Sequence, residues 1–259
     1  MLRDRFITIK RYLHFVNNDF VNVKENRFAK VQPLFNELNK NSTQFGIFDR
    51  NVALDEQMVA YTGRHPQKQF IRNKPIGWRF KNFILPTSES YPLHILPNEG
   101  LTVQVVMTMC QVMRENSHLT SHVLYMDNFY TSWNTLSLLH NLQLRATGTV
   151  RSNWTNKCPL ANEKYIAERS AFDHQCDGKV LFVQWNDKTS VIMGTNFDSV
   201  YPLHQVTRWS KDGAQRIPSL NCVKAYNIHM GGVDLVNRFI QDYYPAIIGE
   251  IRMANSNVK

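Results

Sequence analysis

A short apolar segment that stops at an acidic residue constrains the fold of this chain more than any other feature. Residues 122–126 have the composition of a buried strand, and Asp127 follows them directly. Thr131 and Ser132 then supply an N-cap for a helix predicted over residues 133–142. Open α/β sheets place site residues in this way, in the crevice at the carboxyl end of a strand. The alternative is that Asp127 merely caps the turn.

Two further aspartates occupy comparable positions. Asp55 interrupts a strand predicted over residues 52–61, and Asp234 lies in a helix predicted over residues 225–241. Carboxylates held close together raise one another's pKa and resist joint ionisation unless a cation lies between them. Oxygen-only ligands suit Mg²⁺ or Mn²⁺ rather than zinc. We therefore expect these three carboxylates to converge on a divalent metal.

Strand periodicity leaves one question about this site open. Successive side chains of a strand point to opposite faces, so Asp55 and Glu56 are expected on different sides of the sheet. Only one of the two is then expected to share a site with Asp127, and periodicity does not say which.

The remaining pattern predicts an α/β fold with a mixed sheet flanked by helices. Strands predicted over 78–85 and 91–96 would form an antiparallel meander with the first strand, and a strand over 144–150 would add a central member. At 259 residues with 43% hydrophobic composition, the chain can bury a sizeable core. The predicted organisation is a helical portion packing on the core at 1–50, the first part of the core at 51–151, a β-rich insertion at 152–220, the last core helix at 221–244 and a divergent tail at 245–259.

The charge of the chain points to a polyanionic partner. The formal net charge is +9 and the pI is about 9.4, which favours nucleic acid. No acidic residue occurs between Gln57 and Ser88, whereas basic and aromatic residues alternate there. Such a strip can neutralise phosphates and offer flat rings beside them. The simpler interpretation is a solvated strand face with its aromatic side chains in the core. The candidate DNA-binding residues of this basic strip are Arg64, Lys68, Arg72, Lys74, Arg79 and Lys81.

The cysteines and the hydropathy exclude other classes of site. Four cysteines without a Cys-x-x-Cys pair predict reduced thiols, and His174 with Cys176 fits an ordinary loop better than a zinc site. No zinc is predicted. No apolar segment approaches the length of a membrane span, and the amino terminus lacks a signal-peptide core, so we expect an intracellular protein without a membrane partner. A nuclear location would follow from function rather than from a visible import signal.

A series of ordered motifs resembles the piggyBac family of transposases and the proteins derived from them. They extend over most of the chain: Arg3-Asp4-Arg5-Phe6, Leu13-His14-Phe15, Leu54-Asp55-Glu56-Gln57-Met58 with Gly63-Arg64, Lys74-Pro75-Ile76, Tyr125-Met126-Asp127-Asn128-Phe129-Tyr130-Thr131-Ser132, Gly148-Thr149-Val150-Arg151, Tyr226-Asn227 and Met230-Gly231-Gly232-Val233-Asp234.

The resemblance implies an RNase H-like core, interrupted by a β-rich insertion before the helix that carries the last acid. It implies cut-and-paste DNA transposition in which Asp55, Asp127 and Asp234 hold Mg²⁺ or Mn²⁺ and act on double-stranded DNA. Insertion at TTAA sites is implied by the resemblance alone. A homodimer is a candidate assembly.

The chain also departs from the family pattern. Asn237 stands where the family often has a further Asp one turn after the third acid, and an amide oxygen can ligate a metal but brings no charge. Arg79 and Trp154 replace a common Gly and a common Arg. The family's cysteine-rich zinc module has no counterpart after Tyr244, so the chain is interpreted as a truncated or decayed copy. Two alternatives remain: a derived protein that binds DNA or chromatin without catalysis, and a metal-dependent nuclease.

Overall fold

The computed structural model describes residues 3–22, 26–72, 77–97, 102–117, 121–161, 168–210 and 213–243. Lys74 and the predicted tail at 245–259 therefore lie outside the described residues. The described α-helices are α1 (Arg3–Tyr12), α2 (Gln32–Phe45), α3 (Thr102–Asn116), α4 (Trp133–Asn141), α5 (Asn221–His229) and α6 (Gly232–Tyr243). None of them combines the length and the apolar composition that a membrane span requires.

The described strands follow the predicted ones closely in the first half of the chain. They are β1 (Asn51–Ala60), β2 (Gln69–Phe70), β3 (Trp78–Pro86), β4 (Pro92–Pro97), β5 (Val123–Met126), β6 (Arg145–Val150), β7 (Phe172–Cys176), β8 (Leu181–Asn186), β9 (Ser190–Thr195), β10 (His204–Ser210) and β11 (Gly213–Ser219).

One mixed sheet contains β1 to β9. β1 pairs antiparallel with β3, and β3 pairs antiparallel with β4, which confirms the predicted meander. β1 runs parallel to β5, and β5 runs parallel to β6. Parallel neighbours need crossover connections, and α3 and α4 lie in the two crossovers. The sheet thus contains an antiparallel meander of β4, β3 and β1, followed by β5 and β6, which run parallel to β1. This arrangement confirms the expected RNase H-like α/β core.

The two faces of the sheet carry different partners. Leu54, Phe83, Leu124 and Met126 belong to the main apolar cluster together with residues of α3 and α4. The alternate positions of β1 and β5 therefore face the other side, where α5 and α6 pack against β1. Asp55 in β1 and Asp127, directly after β5, occupy such alternate positions. The fold thus delivers carboxylates to the face that α5 and α6 cover.

The segment between β6 and α5 is rich in strands, as expected, but most of it belongs to the main sheet. β9 pairs antiparallel with β6, and β8 and β7 continue the sheet outward, while β10 and β11 form a separate hairpin. The polar composition of residues 151–177 predicts a long irregular connection, but β7 lies within it. Its polar sequence gives no strand signal, and its pairing with β8 supplies the hydrogen bonds that order it. The domain boundaries derived from the sequence remain predictions.

The amino-terminal helices behave differently from one another. The sequence predicts a helix that begins near Pro33 and ends in the polar residues 39–43. α2 continues through those residues, because Asn39 bonds both the N–H and the C=O of Ile95 in β4 at 2.8 Å. In α1 the apolar side chains of Phe6 and Ile9 are exposed, and so is that of Leu13, which follows the helix. The sequence predicts instead that this helical portion packs on the core. Periodicity identifies an apolar face but not what covers it.

The predicted last helix is in fact two helices, α5 and α6, separated at Met230 and Gly231. A Cβ at Gly232 would lie 2.7 Å from the carbonyl oxygen of Thr87, so the start of α6 approaches the backbone after β3 more closely than a side chain would permit. This close approach fixes where α6 begins and therefore where Asp234 lies.

Candidate metal centre

Three carboxylates meet where β1 passes the end of β5. Asp55, Glu56 and Asp127 each offer an oxygen, and these atoms all lie within 4.8 Å of one another. The expectation that only Asp55 or Glu56 could share a site with Asp127 is therefore wrong. Parallel pairing with β5 ends at Leu54 opposite Met126, and β1 continues past the end of β5. There the Glu56 N–H donates to Asp55 Oδ1 at 2.7 Å.

Asp127 is held by the turn that follows β5. The Phe129 N–H donates to Asp127 Oδ1 at 2.8 Å, and the Thr131 hydroxyl donates to the Asp127 carbonyl oxygen at 2.7 Å. Ser132 caps α4, as predicted, by accepting a hydrogen bond from the Thr135 N–H at 3.1 Å. The turn therefore orients Asp127, and the carboxylate still reaches the other two acids.

The electrostatics of the group favour a cation. Burial raises the pKa of Asp55 to about 7, with repulsion from Asp127, Glu56 and Asp234 as the smaller causes. Burial and the charge of Glu56 also raise the pKa of Asp127. A carboxylate pair in this state binds either a proton or a metal ion.

Asp234 and Asn237 lie on α6 at the edge of this group. Asp234 is exposed and stands outside the three acids that lie within 4.8 Å of one another, but its charge acts on Asp55. Asn237 Oδ1 accepts a hydrogen bond from Gln57 Nε2 at 3.3 Å. The structure therefore brings two of the three predicted catalytic acids together and places Asp234 on the same side.

Two side chains around the acids were not assigned to the site from the sequence. Tyr130 is buried, and its burial, followed by the charges of Glu56, Asp55 and Asp127, raises its pKa. Burial raises the pKa of Asp127, and the positive charge of Arg151 partly offsets that rise. Arg151 also lies 4.8 Å from the ring centre of Trp154. The sequence signal for both residues is their place in motifs of the family pattern.

The basic strip is split between surface and interior. Arg64 and Arg72 are exposed, and Arg79 is partly buried. Lys68 donates to the Gly63 carbonyl oxygen at 2.9 Å and lies 4.5 Å from the centre of the Trp78 ring. Trp78 and Phe70 are exposed, so the simpler interpretation, with the aromatic side chains in the core, is wrong for these two.

Lys81 is a correction to the predicted strip, because it is buried with 8% of its surface exposed. Its ammonium lies 2.5 Å from Glu56 Oε1. Side chains alternate along β3, so Lys81 points to one face of the sheet and Asn82 to the other. The carboxylate of Glu56 lies on the same face as Lys81.

Comparisons with known proteins show the family of the chain. The family described as Transposase IS4 matches residues 1–256. The chain belongs to this transposase family. Human PiggyBac transposable element-derived protein 3 is 32% identical over 96% of the chain and 44% of its own length. Human PiggyBac transposable element-derived protein 2 is 30% identical over 95% of the chain and 44% of its own length.

A solved structure supports the fold of this transposase domain. The cryo-EM structure of the piggyBac transposase synaptic complex with hairpin DNA superposes with a TM-score of 0.73 at 19% identity, over 93% of this chain and 51% of that one. The domain is thus piggyBac-like in fold and sequence. It spans less than half the length of the two human relatives.

Proposed function

We propose that this transposase domain binds double-stranded DNA and carries out metal-dependent strand cleavage and transfer. One observation carries the proposal: the carboxylates of Asp55 and Asp127 lie in a group of three acids whose oxygens are within 4.8 Å of one another. Such a group is costly to assemble unless a cation uses it, since like charges oppose one another's ionisation.

The residues present fit a divalent ion. Asp55 and Asp127 would hold it, Asp234 would complete the set from α6, and Mg²⁺ or Mn²⁺ is the class of ion that carboxylate oxygens select. When bound, such ions activate a water or a 3′-hydroxyl and stabilise the leaving oxygen in displacement at phosphorus. Arg151, whose charge reaches Asp127, would orient a phosphate beside the acids.

The exposed part of the basic strip supports the DNA surface. Arg64 and Arg72 are exposed, and the rings of Phe70 and Trp78, also exposed, lie 5.3 Å apart in an edge-to-face arrangement. Cations with neighbouring aromatic rings suit a phosphate backbone and unstacked bases. TTAA target sites, a homodimer and a nuclear place of action are further proposals, supported by the family membership of the chain.

A second candidate function is DNA binding without cleavage. The observation that favours it is on α6: Asn237 brings no charge, its amide oxygen already accepts from Gln57, and Asp234 lies outside the close group. A site with only two close aspartates and an exposed third binds metal less tightly than one with four carboxylates.

One experiment distinguishes these functions. The protein is incubated with labelled duplex DNA containing TTAA and a supercoiled target plasmid, with Mg²⁺ or Mn²⁺, and the products are separated on denaturing gels. Joined products support transposition, and nicks without joining indicate a nuclease. Binding without either product under both ions supports the non-catalytic candidate. Cutting that persists in Asp127→Ala would show that the proposed centre is wrong.

A further inference from the structure

A lysine buried next to the acid group has no role in the proposed function. Lys81 lies on β3, and its ammonium is 2.5 Å from Glu56 Oε1 on β1. The same ammonium lies 3.7 Å from the ring centre of Phe129 and 5.3 Å from that of Phe83. One cation therefore contacts the strand that carries Asp55 and the turn that orients Asp127.

Burying this cation is unfavourable unless a charge compensates it. An ammonium and a carboxylate both lose their hydration when they leave water, and their mutual attraction offsets that loss only in good geometry. Lys81 has one carboxylate oxygen at 2.5 Å and lies over two aromatic rings, although Glu56 Oε1 makes no hydrogen bond of acceptable geometry with it. Apolar residues of similar volume would avoid the loss of hydration, so stability alone does not account for the pair.

The position of Glu56 shows what the pair can supply. Glu56 Oε1 lies against Lys81, while the carboxylates of Asp55 and Asp127 accept from the backbone N–H groups of Glu56 and Phe129. Without Lys81, the charge of Glu56 would stand uncompensated within 4.8 Å of the Asp55 and Asp127 carboxyl groups. With Lys81, Glu56 is neutralised by a fixed internal cation.

We propose that Lys81 is a positioning residue whose ammonium is the permanent counter-ion of Glu56, so that Asp55 and Asp127 remain the pair that takes the metal. The part of this proposal that concerns metal rests on the proposed function. The part that concerns charge compensation applies to the metal-free protein and is tested separately.

The first test measures thermal unfolding of the metal-free protein. Lys81→Met leaves Glu56 buried beside two acids, so the Tm is expected to fall by roughly 10 °C. Adding Glu56→Gln is expected to restore most of that loss, because the uncompensated charge is gone. Lys68→Met is the matched control, since Lys68 also lies over an aromatic ring, 4.5 Å from Trp78, but contacts no carboxylate that the described residues show. It is expected to change the Tm little in either background.

The outcomes decide between charge and packing. The double variant is measured beside both single variants. If Lys81→Met lowers the Tm equally with and without the Glu56→Gln substitution, its role is packing, and the proposal is overturned. Should Lys81→Met fail to fold, recovery of a folded protein on adding Glu56→Gln supports the proposal. A double variant that also fails to fold overturns it.

The second test measures Mn²⁺ affinity by calorimetry in the same variants. Glu56→Gln leaves an uncompensated cation beside the site, so binding is expected to weaken roughly 10-fold. Lys81→Met is expected to bind at least as tightly as the wild type, and its Tm is expected to rise more on adding Mn²⁺. The double variant is expected to bind within about threefold of the wild type. A larger loss of Mn²⁺ affinity in the double variant would mean that Glu56 is itself a ligand, which overturns the proposal.

The two proposals fail in different ways. If the wild type binds no Mn²⁺, the proposed metal-dependent function fails, and the metal-free unfolding series still decides whether Lys81 compensates Glu56. If the wild type binds Mn²⁺ and the unfolding series shows no coupling between residues 81 and 56, the function stands and the role of Lys81 is wrong.

Discussion

The acidic centre lies just beyond the point where the parallel pairing of β1 and β5 ends, whereas the basic strip follows the connection from β1 into β3. In the centre, pairing of β1 with β5 sets the positions of Asp55 and Asp127. Along the strip, Arg64 and Arg72 are exposed on irregular backbone, but Lys81, on β3, is buried. Basic residues of the strip thus differ in exposure, and therefore in what they can bind, according to whether a regular strand orients them. The following predictions test that difference.

The largest effect is expected at the acidic centre. Asp127→Asn should abolish metal-dependent DNA cleavage and lower Mn²⁺ affinity by more than about 100-fold, because a charged ligand is lost from the close group. Asp242→Asn, on the exposed part of α6, is the control and should leave both unchanged. The measurements are gel-based cleavage and calorimetric binding. Equal effects of the two substitutions would show that the acids do not form a specific centre.

The next effect is expected on the strip and concerns DNA affinity. Replacing Arg64 and Arg72 together by Ala should reduce the slope of log affinity against log salt by about two, since each phosphate contact contributes about 0.9. Lys81→Met should leave the slope unchanged because its ammonium is buried. Fluorescence anisotropy across a salt series measures both. A slope that falls with Lys81→Met and not with the arginine substitutions would reverse our assignment.

A smaller effect is expected at Gly148, which packs against the turn that carries Asp127. A Cβ at Gly148 would lie 2.5 Å from the Met126 carbonyl oxygen, so Gly148→Ala should destabilise the protein by about 1–3 kcal/mol through overpacking. Gly231→Ala is the matched control, because no atom of the described residues outside the adjoining chain lies within 4 Å of the position that its methyl group would take. Urea unfolding compares the two. Similar stability of both variants would mean that the turn adjusts freely.

The remaining prediction concerns the pH dependence of the metal-free protein. The pKa of Asp55 is raised from 3.8 to about 7, mainly by burial, so the folded protein holds this proton more tightly than the unfolded chain. Its contribution to stability is therefore greatest below about pH 4 and is lost as the pH rises through about 7. Asp55→Asn should remove this loss of stability. The measurement is the difference between the urea midpoints of the wild type and of Asp55→Asn, taken from about pH 4 to about pH 7. A difference that does not change with pH would contradict the raised pKa.

Much of the core was predictable because its signals are local. The strand before Asp127, the Ser132 cap and the antiparallel meander each follow from periodicity and capping chemistry within a few residues. The prediction failed where partners are distant in sequence. β7 is ordered by its pairing with β8, and the end of α2 is extended by Asn39 bonding to β4.

The sequence by itself determined which residues are candidates for the chemistry: the aspartates at 55, 127 and 234 stand in recognisable motifs, and short-range patterns place the first two in and after predicted strands. Only the tertiary structure decided which charges meet. Glu56 lies in the group with Asp55 and Asp127, Lys81 is buried against Glu56, and Asp234 lies at the edge of the group. The reason is that alternation fixes the face of a side chain, whereas the neighbour it finds there depends on strand register and on where the adjacent strand ends.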